Sequence, residues 1–426
     1  MVITLSKIFF HIDVNNAFLS WEAVKRLNEG ETTDLRTIPS AIAGDPKKRT
    51  GVILAKSPIA KKMGVKTGEP LFSAIQKCPN LVCVSPNHEY YEEQSKKLKK
   101  FLEKYSDEIE PYSIDECFIA HIPLLGTPLE VANKIKDDIY ITFGYTVNIG
   151  ISDTKYLAKI ASDFEKPNKI HTLYPEEMPT KMWPLPVRDL FLIGAATEAK
   201  LNRLGIYTIG DLAKVDLGFL RKKLGKHGET VWHFANGRNA DAVTPDPEEN
   251  KGYGNSTTTA QDVVTRAGAQ QVLLSLCETV AARMRKDGKC GRCVSIHLRT
   301  NEFQHSSHQT MLEGATNITA ELFKAACGIF DEAWDRQTPL RQLGVQVTRL
   351  TEEPYQQYDL FSGMSPVRYE RKLRLDEAVD ALRDKFGEDI IRRAKFAHDP
   401  ENHMMGGLDK ARRTGVTKPV PKEFEE

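Results

Sequence analysis

The sequence predicts an α+β protein of several units, the first of them built on a ferredoxin-like sheet. Three observations predict it. The chain has 426 residues and 48.0 kDa, too long for one core at roughly 100–200 residues per domain. Up to Phe164 its apolar patterning follows a β-α-β-β-α-β order, the signature of a ferredoxin-like sheet. Beyond about 175 the pattern changes to short helices with Gly-bearing turns, then to a polar Pro245-Asp-Pro-Glu-Glu-Asn-Lys-Gly linker and a second α+β stretch.

The elements follow in order. Ser6 to Val14 is apolar and β-branched and reads as a buried strand carrying Asp13 near its end, and Ala17 to Leu27 has helical spacing. Residues 31–84 are short, mixed and turn-rich. Tyr91 to Tyr105 is a strong helix. Glu110-Pro-Tyr-Ser-Ile-Asp-Glu-Cys-Phe-Ile-Ala then reads as a hairpin with acids at the bend. A helix over Leu129–Ile141, a strand over Thr146–Ile151 and a helix over Tyr156–Phe164, closed by Pro167, complete the first part. Residues 252–350 predict helices near 265–286 and 317–336 and strands near 292–300 and 343–350. A last helix is expected from Pro366 to Phe396, ahead of a basic tail.

Composition narrows the classes. With 40% apolar and 27% charged residues the chain is not globally disordered. It has no run of roughly 18 apolar residues that would span a membrane. Lys7 and Asp13 interrupt the first apolar stretch, so no signal peptide is expected. Seven scattered cysteines then read as reduced thiols of a cytoplasmic protein. Cys290-x-x-Cys293 has no second ligand pair at zinc spacing and opens an alternating run, so a strand is the better reading. Fifty-nine basic against 58 acidic residues leave any nucleic-acid site to local arrangement.

Asp13 at a strand end and Asp115-Glu116 at a hairpin bend are the candidate chemistry. Three carboxylates meeting at one sheet edge repel unless cations screen them. Two Mg²⁺ ions roughly 3.5–4 Å apart would do so. Spacing alone leaves open that each acid merely caps a turn.

His11-Ile-Asp-Val-Asn-Asn-Ala-Phe-Leu-Ser, Ser113-Ile-Asp-Glu-Cys-Phe and the block from Gly150 to Lys169 resemble, in order, the Y-family DNA polymerases, nearest the bacterial, DNA polymerase IV-like translesion branch. The resemblance covers about residues 5–361. It implies a right-hand polymerase with a ferredoxin-like palm (1–30 and 85–174), small fingers (31–84), a helical helix-hairpin-helix thumb (175–244) and an α+β little finger (245–350). Residues 351–426 would hold a clamp-binding motif, a helix and a basic tail.

Carried over, Asp13, Asp115, Glu116 and the Val14 carbonyl would hold two Mg²⁺ ions, and Phe18 would be the steric gate excluding a ribose 2′-hydroxyl. Asn16, Ala17, Ser57, Lys61 and Lys159 would meet the incoming dNTP, with Lys155 on the same helix face as Lys159. Ser113 is expected to pack or hydrogen-bond rather than do chemistry. Ala55, Pro58 and Lys61 stand where the family has a threonine, a tyrosine and an arginine, and Lys56 is the candidate to compensate. Asn15, Asn16 and Ala17 also depart from the family's first motif.

Primer–template DNA would be gripped by the turn at Ile193 and Gly194, where Leu192 and Ala195 replace more usual glycines, and by Arg283, Arg285, Arg292 and Arg299. Gln357-Tyr-Asp-Leu-Phe resembles the peptide that docks on the sliding clamp (the β subunit), with Leu360 and Phe361 as apolar plugs. The reading is a monomeric, low-fidelity, template-directed DNA polymerase for translesion synthesis. The alternatives are a catalytically silent DNA- and clamp-binding factor on the same scaffold, or another two-metal nucleotidyl chemistry such as a cyclase.

Overall fold

The computed structural model describes residues 7–44, 51–238, 250–352, 366–396 and 403–404. Contacts divide the chain into two compact units, 1–44 with 52–247 and 45–51 with 248–426. No helix of the described residues is long and apolar enough to cross a membrane.

The first unit opens with β1 (Phe9–Val14) and α1 (Ala17–Asn28). A small sheet follows, with β2 (Ser40–Ala43), β3 (Ile53–Lys56), the short helices α2 (Pro58–Lys62) and α3 (Leu71–Lys77), and β4 (Val82–Val84), in the order β3-β2-β4. Next come α4 (His88–Leu102), β5 (Ile109–Pro111), β6 (Glu116–Ala120), α5 (Pro128–Phe143), β7 (Val147–Ser152), α6 (Lys155–Asp163) and β8 (Ile170–Thr172). Their sheet runs β5-β6-β1-β7-β8. Without β8, which joins β7 in parallel, this is the strand order of the expected ferredoxin-like sheet.

Alternation along the strands sets what each face carries. Phe10, Ile12 and Val14 of β1, Cys117 and Ile119 of β6, and Val147, Ile149 and Ile151 of β7 share one core with Trp21, Tyr91, Leu98 and Ile135. The alternate residues therefore face the other way: His11 and Asp13, Glu116 and Phe118, Asn148 and Gly150. Helix α6 lies over them. A Cβ on Gly150 would come 1.8 Å from the carbonyl oxygen of Ala158, so helix and strand meet backbone to backbone there. The outer side of α6 joins a second core through Tyr156, Leu157 and Ile160. That core belongs to α7 (Met178–Lys181), α8 (Ala195–Asn202), α9 (Ile209–Lys214), α10 (Leu217–Leu224) and α11 (Lys226–Ala235).

The second unit is a four-stranded antiparallel sheet, β11-β10-β12-β9, with two helices on one face. In chain order it comprises β9 (Gly252–Val263), α12 (Arg266–Lys286), β10 (Cys290–Thr300), β11 (His305–Thr316), α13 (Thr319–Ala333) and β12 (Leu340–Thr351). Both expected helices and both expected strands are present. Strands β9 and β11 were not anticipated, because neither alternates: β11 reads His-Ser-Ser-His-Gln-Thr and is exposed over most of its length. Cys290 and Cys293 lie buried on β10.

Helix α14 (Pro366–Phe386) is shorter than the sequence suggests, ending before Gly387 at φ 94°. It docks on the unit through charge. Arg285 of α12 donates to Asp380 at 2.6 Å and to Asp376 at 3.3 Å. Glu278 of α12 accepts from Arg383 at 2.7 Å and from Arg393. Burial pushes the Glu278 carboxyl up, but Arg393 and Arg383 outweigh it and hold it below the ordinary carboxylate range.

Candidate active site

Asp13 stands directly opposite Glu116 on β6 and Asn148 on β7. Asp115 precedes β6 at the bend, and its carbonyl accepts from the Val14 N–H at 3.1 Å. The first acid and the later pair are thus gathered at one sheet edge. The Ser113 hydroxyl donates to the Asp115 carboxylate at 2.6 Å and accepts from the Glu116 N–H at 3.1 Å. Its role is the hydrogen bond expected of it.

Each of the two strand acids is turned to a lysine. Glu116 accepts from Lys159 at 2.7 Å, and Asp13 is paired with Lys166. Burial raises the Asp13 carboxyl to about 6 against the pull of Lys166, with Glu116 and Asp115 adding to the rise. Three hard oxygen donors in a site that resists further negative charge suit a divalent cation. Among the described residues no three His, Cys, Asp or Glu side chains stand ready around one ion.

Lys166 carries no signal in the sequence, where it falls between the helix expected over Tyr156–Phe164 and Pro167. Two asparagines fix the loop that carries it. Asn148 donates to the carbonyls of Ser162 and Glu165 at 2.9 and 2.6 Å, and Asn15 accepts from the Asn168 N–H at 2.8 Å. Asn15 also donates to Asn148 at 3.0 Å. Lys159 corrects another expectation. Its side chain is 11% exposed and lies 4.7 Å from the Tyr112 ring centroid and 5.8 Å from that of Phe191, while that of Lys166 is 38% exposed. Lys159 is an internal counter-ion, and Lys166 is the cation that solvent reaches. Lys155 pairs with Glu110 at 2.7 Å.

Phe18, half-buried, stacks on Tyr91 with centroids 4.7 Å apart and planes 20° apart, and His88 meets it edge-on at 5.9 Å. Its ring is therefore held from two sides. Asn16 caps α1 in the left-handed region at φ 50°, and its side chain donates to the Lys56 carbonyl at 2.8 Å. Ala17 is buried in the core. Lys61 is exposed, and burial together with Lys61 lowers the Lys56 ammonium, which donates to the Thr67 hydroxyl at 2.8 Å. Ser57 is a correction: it is fully buried, and its hydroxyl caps α2 by accepting from the Ala60 N–H at 3.1 Å. Ser-Pro at a helix start was the signal that could have found it.

The expected DNA contacts divide. Leu192 takes φ 68°, the left-handed geometry that a glycine favours, while nothing lies within 4 Å of where a Cβ would sit on Gly194. Ile193 is buried and its N–H is spent on the Leu190 carbonyl, which removes it as a phosphate donor. Arg283 and Arg292 are exposed. Arg299 lies over the Phe303 ring at 4.6 Å. Arg285 is withdrawn, its side chain 7% exposed and committed to α14. Gln357, Leu360 and Phe361 lie outside the described residues.

The fold matches a solved Y-family DNA polymerase chimera with a TM-score of 0.69 at 22% identity, covering 81% of this chain and all of the other. The architecture is therefore that of a Y-family polymerase. Residues 12–163 match the impB/mucB/samB family, residues 175–206 the IMS family HHH motif, and residues 250–360 the impB/mucB/samB family C-terminal domain. A DNA polymerase IV of Clostridium acetobutylicum is 42% identical over 399 residues, 93% of this chain and 100% of its own. A DNA polymerase IV of Acetivibrio thermocellus is 35% identical over 93% of this chain and 98% of its own. A DNA polymerase IV 2 of Bacillus subtilis is 37% identical over 91% and 94%. The chain belongs to the impB/mucB/samB family, the Y-family DNA polymerases.

Proposed function

We propose that the protein is a template-directed, low-fidelity DNA polymerase for translesion synthesis, adding a dNMP from a dNTP to a primer 3′-hydroxyl with loss of pyrophosphate. The observation that carries this reading is Asp13 facing Glu116 across neighbouring strands, with Asp115 at the adjoining bend. Asp13, Asp115, Glu116 and the Val14 carbonyl would hold two Mg²⁺ ions. When bound there, the ions supply charge neutralisation at the triphosphate and a lowered proton affinity at the attacking hydroxyl. Asp13 and Glu116 would part from their lysines to do so. Lys166 then keeps only its pairing with the exposed Asp163 at 2.8 Å, and its own exposure beside the site fits it to the triphosphate.

Lys56 and Lys61 add positive charge where Pro58 offers no hydroxyl. Phe18, braced by Tyr91, fills the space that a 2′-hydroxyl would need. The turn at Gly194 and the exposed Arg283 and Arg292 would hold primer–template DNA through its phosphates. In this reading residues 1–30 with 85–174 act as palm, 31–84 as fingers, 175–244 as thumb and 245–350 as little finger. The enzyme acts as a cytoplasmic monomer recruited to the sliding clamp through Gln357, Leu360 and Phe361.

Primer extension tests the reading. Wild type is expected to extend a primer with dNTPs and Mg²⁺, and the Asp115→Ala, Glu116→Ala double variant to bind DNA without extending it. No extension by the wild type would leave the silent-factor reading in its place, and extension by the double variant would remove these acids from the chemistry.

A further inference from the structure

His11 is fully buried beside the acids, and the reading above gives it no task. Its hydrogen bonds define its tautomer. The Ser162 hydroxyl donates to the Lys159 carbonyl at 2.7 Å, so it accepts from His11 Nδ1 at 2.8 Å, and the ring proton is on Nδ1. Nε2 then presents a lone pair. It is buried, has no hydrogen-bond partner and lies 3.8 Å from Glu116 Oε2. Two acceptors cannot bond to each other. The donor at hand is the Lys159 ammonium, 2.7 Å from that same Glu116 oxygen, which itself lies 3.8 Å from Nε2. An ammonium has three N–H groups to place, and the Tyr112 and Phe191 rings beside it offer only their faces.

We propose that His11 is a positioning residue for Glu116: its Nε2 is the second acceptor for Lys159, receiving the ammonium when Glu116 turns its carboxylate to a divalent cation. Without that acceptor the ammonium, whose side-chain hydrogen bond among the described residues is to Glu116, competes with the cation for the same oxygens. The arrangement depends on α6, which carries both Lys159 and Ser162, lying directly on β1 and β7. The inference rests on the proposed cation site.

Mn²⁺ binding separates the two. The sample is enzyme with a 3′-dideoxy-terminated primer–template and the matching dNTP, so that no turnover occurs, and free Mn²⁺ is followed by electron paramagnetic resonance. His11→Asn keeps a donor for Ser162 and removes the acceptor near Glu116; it is expected to weaken Mn²⁺ binding about tenfold. His11→Gln, whose amide oxygen reaches the Nε2 position, is expected to bind as wild type does. Lys159→Met removes the competitor, so it should restore binding in the His11→Asn background and tighten it when made alone. Unchanged binding in His11→Asn, or no rescue by Lys159→Met, would overturn the proposal. Should His11→Asn not fold, Lys159→Met alone decides, and binding no tighter than wild type overturns it. If Asp13→Asn binds Mn²⁺ as wild type does, it is the cation site itself that fails.

Discussion

Gly150→Ala should damage both the fold and the activity. The added methyl carbon would sit 1.8 Å from the Ala158 carbonyl oxygen and 2.5 Å from the Ser162 nitrogen, where ordinary contact begins at 3.4 Å. Both neighbours are backbone of α6, so no side chain can swing aside. The helix must retreat by about 1.6 Å, the difference between 1.8 and 3.4 Å. Overpacking of this kind costs roughly 1–3 kcal/mol, and a clash against backbone places this case at the upper end. The same retreat carries Lys159 away from Glu116 and Ser162 away from His11, contacts now of 2.7 and 2.8 Å. A misplacement near 1 Å can lower rate by about 10²-fold. Urea denaturation and single-turnover nucleotide insertion read the two effects separately. Gly328→Ala is the control, since nothing lies within 4 Å of its Cβ, and it should stabilise by about 0.5–1 kcal/mol. Wild-type melting and insertion in Gly150→Ala would refute the close-packing argument.

Three further outcomes are expected. Phe18→Ala should admit ribonucleotides, read as the ratio of kcat/KM for rNTP and dNTP; an unchanged ratio removes the gate. Arg285→Ala leaves Asp380 without its partner and Asp376 with the Thr319 N–H and Arg393, and should cost roughly 1–3 kcal/mol of stability, with a wild-type salt slope for DNA binding. Arg283→Ala and Arg292→Ala should each instead lower that slope by about 1 with little loss of stability. Glu278 has a carboxyl held below its unfolded value, so its pairing stabilises above that value and is lost as pH falls through the folded one. Wild type should therefore lose more stability between pH 6 and pH 3 than Glu278→Gln does, and parallel losses in urea melts would contradict the pairing.

The sequence carried the acid-bearing strands well because both faces of β1 are covered and four of its six residues are apolar. The convergence of Asp13 with Asp115-Glu116 needed only strand order and a bend. What it hid were choices between partners. Lys159 and Lys166 are both lysines near one motif, and only packing under Tyr112 makes the first a counter-ion. Arg283 and Arg285 sit two apart on one helix; the turn between them sends one to solvent and the other to acids nearly a hundred residues later. Strand β11 lacks alternation because neither of its faces is deeply buried over its first half, so its polar run read as loop. Ser57 went to the wrong role although its cap signature was legible.

The five-stranded sheet is flanked by three-residue strands, β5 closing on Pro111 and β8 spanning Ile170–Thr172. A ribbon that short leaves few free amides for a foreign chain to zip onto, and proline removes one of them. The twelve-residue margin formed by β11 is the longer invitation, and its exposed serines, histidines and glutamine reward water rather than a stranger's side chains. Greasy replacements along β11, not along β5 or β8, are what would turn this enzyme toward fibrils.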